Sequence, residues 1–233
     1  MLPSSGSPHL TSPAADRRPI AARERPVFIA LAAAIARAGV SPNAISVAGM
    51  VAGILAGAAF AATPHVDPTP ARVCFACGAG LVQLRLLANM LDGMVAVNSG
   101  KTSPVGELYN DLPDRISDAA ALIGLGYASG GWPEMGYIAA ILAILTAYIR
   151  AVGRAAGAGS DFRGPMAKQQ RMFVVTAAAA YVSLAPDAWN PRWGAADGRA
   201  LPAAVLAFIA LGSAVTCIRR TIGIAAQLRS STP

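Results

Sequence analysis

The chain has 233 residues, of which 55% are hydrophobic and only 13% charged, and its formal net charge is +7. A soluble domain carries about 25% charged residues, so this composition argues against a soluble enzyme and for a chain built for a bilayer. Anionic lipid headgroups account for the positive charge, and no nucleic acid is needed as a partner.

The first 25 residues are polar and rich in Pro and Ser, and Arg17, Arg18, Arg23 and Arg25 lie near their end. They read as a disordered basic tail, and they lack the apolar h-region of a cleavable leader. Residues 26–38 are apolar but too short to span, which suits a juxtamembrane helix lying along the interface. Ser41-Pro42-Asn43 then signals a helix start, with a capping side chain before Pro at the first helical position. Residues 38–66 and 200–218 contain no charge at all, and each run can supply the roughly 20 apolar residues of a span.

The expected fold is all-α: a polytopic membrane protein of six transmembrane helices preceded by the juxtamembrane helix. The spans fall at about 43–62, 73–96, 106–128, 134–156, 165–185 and 200–220. Together 26–225 form one membrane domain, and 226–233 form a C-terminal tail. Cys74 and Cys77 make a C-x-x-C inside an apolar run, without a second pair or a neighbouring His. With Cys217 they read as small helix- or lipid-facing residues. His9 and His65 fall in a tail and a loop and suggest no chemistry.

The loops orient this arrangement. Of 19 Lys and Arg residues, 14 lie on the side of the termini, and only Arg72, Arg192 and Arg199 lie on the other. The positive-inside rule places both termini in the cytoplasm, as expected of an integral protein of the cytoplasmic (inner) membrane. Charges inside spans are costly and usually functional, and here they gather. Asp92 ends the second span, Asp111, Asp114 and Asp118 open the third, Arg150 and Arg154 close the fourth, and Lys168 and Arg171 open the fifth. In an up-and-down bundle all of these ends share the cytoplasmic face. Asn89 and Asp92, Asn110 and Asp114, Asp111 and Asp114, and Asp114 and Asp118 stand three or four apart, so each pair shares a helix face. Oxygen ligands on two facing helices suit a hard divalent cation. Interhelical ion pairs through Arg85 or Arg115 are the plainer reading of the same charges.

The stretch Asn89-Met-Leu-Asp92-Gly93-Met-Val-Ala96-Val97, followed by Gly106-Glu-Leu-Tyr-Asn110-Asp-Leu-Pro-Asp114, resembles the CDP-alcohol phosphotransferase signature D-x2-D-G-x2-A-R-x8-G-x3-D-x3-D. Every spacing is kept, and the Ser-Pro-Asn helix start and Tyr148-Ile-Arg150-Ala-x-Gly153 also look like this family. Three positions depart: Asn89 and Asn110 stand for aspartates, and Val97 for the arginine.

The resemblance implies transfer of a phosphatidyl or other substituted phosphate group from a CDP-linked lipid, such as CDP-diacylglycerol, to a small alcohol, with release of CMP. It also implies one or two Mg²⁺ (or Mn²⁺) ions, held by a set drawn from Asn89, Asp92, Asn110, Asp111, Asp114 and Asp118. Asp111 is the expected stand-in for a lost carboxylate, and Asp114 the expected general base. Gly93, Ala96 and Gly106 would face the nucleotide, with Arg85 or Lys101 replacing the missing arginine. Arg150, Arg154, Lys168 and Arg171 form a cation set suited to phosphate oxygens, which points to a phosphorylated acceptor such as glycerol 3-phosphate or inositol phosphate. A homodimer in the bilayer is compatible with this reading. The alternative is a catalytically degenerate relative that binds a lipid or partner in the same pocket.

Overall fold

The computed structural model describes residues 24–99, 106–159, 161–193 and 198–230. Most of the expected basic tail and the loop holding Lys101 therefore lie outside the described residues. Seven α-helices run in chain order among them: α1 (Pro26–Arg37), α2 (Pro42–Ala62), α3 (Pro68–Ser99), α4 (Gly106–Gly126), α5 (Pro133–Ala155), α6 (Lys168–Leu184) and α7 (Leu201–Ser230). The protein is an all-α membrane protein. Among the described residues, four helical stretches are long and apolar enough to cross a bilayer: Pro42–His65, Pro68–Asn98, Pro133–Ala155 and Leu201–Ser230. Helix α4 carries Asp111, Asp114, Arg115 and Asp118 on 21 residues, and α6 has only 17.

Local chemistry sets the helix ends. Ser41 caps α2, its Oγ accepting from the Ala44 N–H at 3.2 Å, and Pro42 fills the first turn, where its missing N–H costs nothing. Pro26 and Pro133 begin α1 and α5 in the same way. Helix α7 continues to Ser230, through residues 226–230 that the sequence suggests are tail. Its packing against the bundle reaches Arg220, Gly223 and Ile224, and 226–230 extend the helix beyond them, exposed apart from the half-buried Leu228.

At the end of the bundle away from the acidic residues, a short hairpin pairs β1 (Arg192–Trp193) with β2 (Arg199–Ala200). The sequence carries no strand pattern there. The pairing is held from outside, since the Ala200 N–H donates to the Gly130 carbonyl at 2.8 Å and Arg199 stacks 4.0 Å over the Trp132 ring.

Small residues bring the helices together. Gly49, Gly53 and Gly57 lie on one stripe of α2, facing α3 and α4. A side chain at Gly53 would meet Ser117, and one at Gly57 would meet the Ala120 carbonyl and backbone of α4. Across the same seam, Gly124 of α4 faces the Gly57 backbone. Bilayer helices associate through such close backbone approach, because lipid supplies no hydrophobic drive between them. The opposite side of α2 presents Val47, Val51, Ile54 and Leu55 outward. Phe60 and Phe75, with ring centroids 6.1 Å apart, fill the interior between α2 and α3. Helix α1 lies on α3, burying Ala32 against Ala88, Leu91 and Val95.

The seam makes a stability prediction. Gly57→Val should lower the thermal midpoint of the detergent-solubilised protein, as overpacking costs about 1–3 kcal/mol. Gly80→Val, where a side chain would meet nothing within 4 Å, should leave it within about a degree or two. Equal midpoints for the two variants would show that the seam does not hold the bundle.

Candidate active site

One end of α3 meets the first half of α4 and the start of α6. Helix α3 rises about 1.5 Å per residue, so Asp92 stands about 36 Å from its start at Pro68, beyond a hydrocarbon core of about 30 Å. That places the site at one edge of the apolar bundle.

Its centre is Asp114, which is 7% exposed. The Arg85 Nη2 donates to Asp114 Oδ1 at 3.0 Å and to the Asp114 carbonyl at 3.1 Å. The Asn89 amide donates to Asp114 Oδ2 at 3.1 Å. The ammonium of Lys168, from the first residue of α6, contacts both Asp114 Oδ2 and Asn89 Oδ1. Asp92, 4% exposed, receives a 2.6 Å hydrogen bond from Ser46 Oγ on α2, and the Gly93 N–H lies 2.5 Å from its other oxygen. Ser46, Gly49, Met50, Arg85, Asn89, Asp92 and Asp114 line one small cleft. A larger cavity of about 310 Å³ lies at the far end of the bundle, lined by Thr63, Arg72, Phe75 and Asp187 among others, and none of the acidic signature residues reaches it.

Four assignments made from sequence change. Asp118 is 2% exposed and lies 2.6 Å from Arg85 Nη2 and 3.5 Å from Arg171 Nη2. It is committed to two guanidinium groups inside the bundle and does not line the cleft. Asp111 does not replace a lost carboxylate either. Its side chain is 38% exposed and pairs with Arg115 at 3.5 Å and Arg150 at 3.6 Å, since one residue along a helix turns a side chain by about 100° from its neighbour. Arg171, only 1% exposed, donates to the Met166 carbonyl at 2.8 Å and ties the segment before α6 to α4. It does not open toward an acceptor, and Lys168 belongs to the carboxylate cleft.

Arg150 keeps a rim position beside Asp111, 5.5 Å over the Phe162 ring, and Arg154 lies one turn further along α5, half-buried. Gly93 and Ala96 are partly exposed on α3. Val97 is 62% exposed, so the position that holds arginine in the family signature points outward. Gly106 begins α4; the side chain of Asn110, like the whole of Lys101, lies outside the described residues.

Sequence reading missed several participants. Ser46 sits in a charge-free run, and its only signal is a hydroxyl inside an apolar helix. Ser117 accepts from Arg85 Nε at 2.9 Å. Arg220 of α7, counted from sequence as a loop cation, is 5% exposed and donates to the Thr146 carbonyl at 2.7 Å and the Arg163 carbonyl at 3.0 Å. In the loop before α6, desolvation works against the Asp161 charge. The side-chain and backbone hydrogen bonds from Arg163 outweigh it and hold the carboxyl below the usual carboxylate range.

The donor set can be tested against a metal. Asp92 and Asp114 bring two carboxylates from facing helices to one cleft, with hard oxygen donors of the kind a divalent cation takes. Among the described residues no cluster of three or more His, Cys, Asp or Glu forms. The two carboxylates, with the Asn89 amide beside them, are compatible in chemistry with a divalent cation.

Comparison with known proteins supports the reading of the signature. No family model matches the chain. An archaetidylinositol phosphate synthase of Aeropyrum pernix is 31% identical over 201 residues, covering 85% of this chain and 90% of the relative. A phosphatidylinositol phosphate synthase of Streptomyces avermitilis is 27% identical and covers 85% and 78%. Crystal structures of the phosphatidylinositol phosphate synthase of Mycobacterium tuberculosis share the fold at 21% identity. The form with CDP-DAG bound gives a TM-score of 0.66 over 86% of this chain and 94% of that one. The form in complex with manganese and citrate gives 0.65 over 85% and 88%. With the signature spacing intact and a relative of that identity matched along nearly its whole length, the chain belongs to the CDP-alcohol phosphotransferase family.

Proposed function

We propose that this protein transfers a phosphatidyl group from a CDP-linked lipid, such as CDP-diacylglycerol, to the hydroxyl of a phosphorylated polyol, such as inositol phosphate or glycerol 3-phosphate, and releases CMP. The observation that carries the reading is the convergence of Asn89, Asp92 and Asp114, from signature positions on α3 and α4, with Arg85 and Lys168 in one buried cleft. The names of the relatives point to the same reaction class.

Each residue has a task in this scheme. Asp92 would be the principal carboxylate for a divalent cation, with Asp114 next to it in the same cleft, and the ion would neutralise diphosphate charge and the charge developing on the leaving phosphate. Ser46 fixes the Asp92 carboxylate by its 2.6 Å hydrogen bond. Arg85, whose Nη1 has no hydrogen-bond partner among the described residues, supplies the diphosphate contact that Val97 cannot make. Asp114 takes the proton of the acceptor hydroxyl as it attacks phosphorus. Arg150 and Arg154, at the rim, receive the acceptor's phosphate. Gly93, Ala96 and Gly106 border the nucleotide.

The topology follows from the same scheme. Helices α4 and α6 join the four apolar spans to make six, their charges being tolerated because they are paired inside the bundle. Both termini and the cleft face the cytoplasm, and two chains can pair in the bilayer. Cysteine labelling from the outer side should reach introduced cysteines in 63–72 and 186–199 but none in 157–163. Labelling within 157–163 would overturn this orientation.

The activity is tested by mixing purified protein with CDP-diacylglycerol and each phosphorylated acceptor, following CMP and lipid product. CMP should appear only with acceptor and divalent metal present. Lipid binding without CMP release under any acceptor would identify a degenerate relative instead. Asp92→Asn and Asp114→Asn should each reduce the rate at least a hundredfold while keeping the protein folded. Asp111→Ala should cost no more than a few-fold, because its carboxylate lies outside the cleft.

The acceptor reading has its own kinetic signature. Arg150→Ala should raise the apparent KM for the phosphorylated acceptor about tenfold or more, the scale of a lost charge-assisted contact. The KM for CDP-diacylglycerol should change little. Efficient use of serine, choline or unphosphorylated inositol, with the phosphorylated polyols inert, would overturn it.

A further inference from the structure

Cations are already built into the cleft. Asp114 and Asp118 pair with Arg85, Lys168 and Arg171, and with Asp92 beside them in the cleft the six side chains balance in charge. Asp118 is held between Arg85 and Arg171 by ion pairs and does not line the cleft. What remains for a ligand is Asp92 with Ser46, and the Asn89–Asp114 pair with Lys168. The Lys168 ammonium touches oxygens of residues from both helices, Asn89 on α3 and Asp114 on α4. A cation bridging the two helices at these oxygens must sit where that ammonium sits. Two cations cannot share them without strong repulsion in a low-dielectric interior. Sequence and geometry agree here. Asn in place of Asp at 89 and 110 removes two negative charges, the charge of one divalent ion, and a neutral Asn89 carbonyl is a suitable acceptor for an ammonium.

We propose that Lys168 is a resident cation standing in place of a second divalent ion, so that the cleft binds one divalent ion, with Asp92 as its principal carboxylate, and meets the diphosphate with that ion together with the side chains of Lys168 and Arg85. The proposal rests on the metal-assisted reading above and adds the ion count and the residue that fixes it. Lysine suits the task as a compact point charge on a flexible stem, and its place at the first residue of α6 lets the stem reach across to α3 and α4.

The test counts ions directly. The full-length protein in detergent, with saturating CDP, is titrated with Mn²⁺, and the free ion is followed by its electron paramagnetic resonance signal. Wild type should bind one Mn²⁺ per chain. Asn89→Asp alone should still bind one, because Lys168 pairs with the new carboxylate. Asn89→Asp combined with Lys168→Met should bind two. Two ions in the wild type would overturn the proposal and leave the metal-assisted reading standing, whereas none would overturn both. A count of one in the folded double variant would also overturn it. Should that variant fail to fold, the wild-type count and the Asn89→Asp count decide.

Discussion

The structure depends on one constraint: ionised side chains inside an apolar bundle must be paired with each other. A buried charge without a partner costs several kcal/mol, and breaking one side of a buried pair typically costs about 3–5 kcal/mol. The chain answers with a continuous relay. Arg171 of α6 meets Asp118 of α4, Asp118 meets Arg85 of α3, Arg85 meets Asp114 of α4, and Asp114 meets Lys168 of α6. Each link crosses between helices, so the relay fixes the register of α3, α4 and α6 against one another. Charges that look like a liability for insertion thus become the element that specifies the arrangement.

The glycine stripe of α2 and the relay act on the same seam. Gly49 faces the Arg85 carbonyl and Ala88, and Gly53 faces Ser117, whose hydroxyl accepts from Arg85. Close approach of α2 at these positions leaves the polar groups beneath shielded from lipid. It also carries Ser46, one turn before Gly49, onto Asp92. Packing by small residues and satisfaction of buried polar groups are therefore one arrangement, and a bulky residue in the stripe would disturb the carboxylate geometry as well as the fold.

Much of this was legible in the sequence, and the reasons differ between parts. The helix positions followed from long apolar runs and from the Ser41-Pro42 signal, which begins a helix where it was expected to. The gathering of Asp92, Asp114 and Lys168 followed from alternation of helix direction alone. Spacing failed where a choice of face mattered. Asp111 stands three residues from Asp114 but pairs outward with Arg115 and Arg150, because residues three apart share only the edge of a face. Arg171 and Asp118 show the other limit: charge in a sequence says that a partner is needed, not whether that partner is substrate or protein. The hairpin at 192–200 left no periodicity to read, being held by Gly130 and Trp132 from another part of the chain.

On the proposed function, the buried Arg85 supplies the positive charge that the exposed Val97 lacks. A guanidinium at position 97 would stand at the rim, 62% exposed as Val97 is, where water and salt screen it. Arg85, three turns earlier on the same helix, lies 2% exposed with one nitrogen unpartnered among the described residues. A cation placed there acts through a lower dielectric, and its orientation is already set by Asp114, Asp118 and Ser117. Preorganised donors of this kind need little rearrangement as charge develops on a leaving phosphate. A positive group moved inward also lessens the need for carboxylates to gather a second metal ion. On the proposed function, the substitutions at 89, 97 and 110 go together, since each removes a charged side chain from the signature while Arg85 and Lys168 supply positive charge beside Asp114.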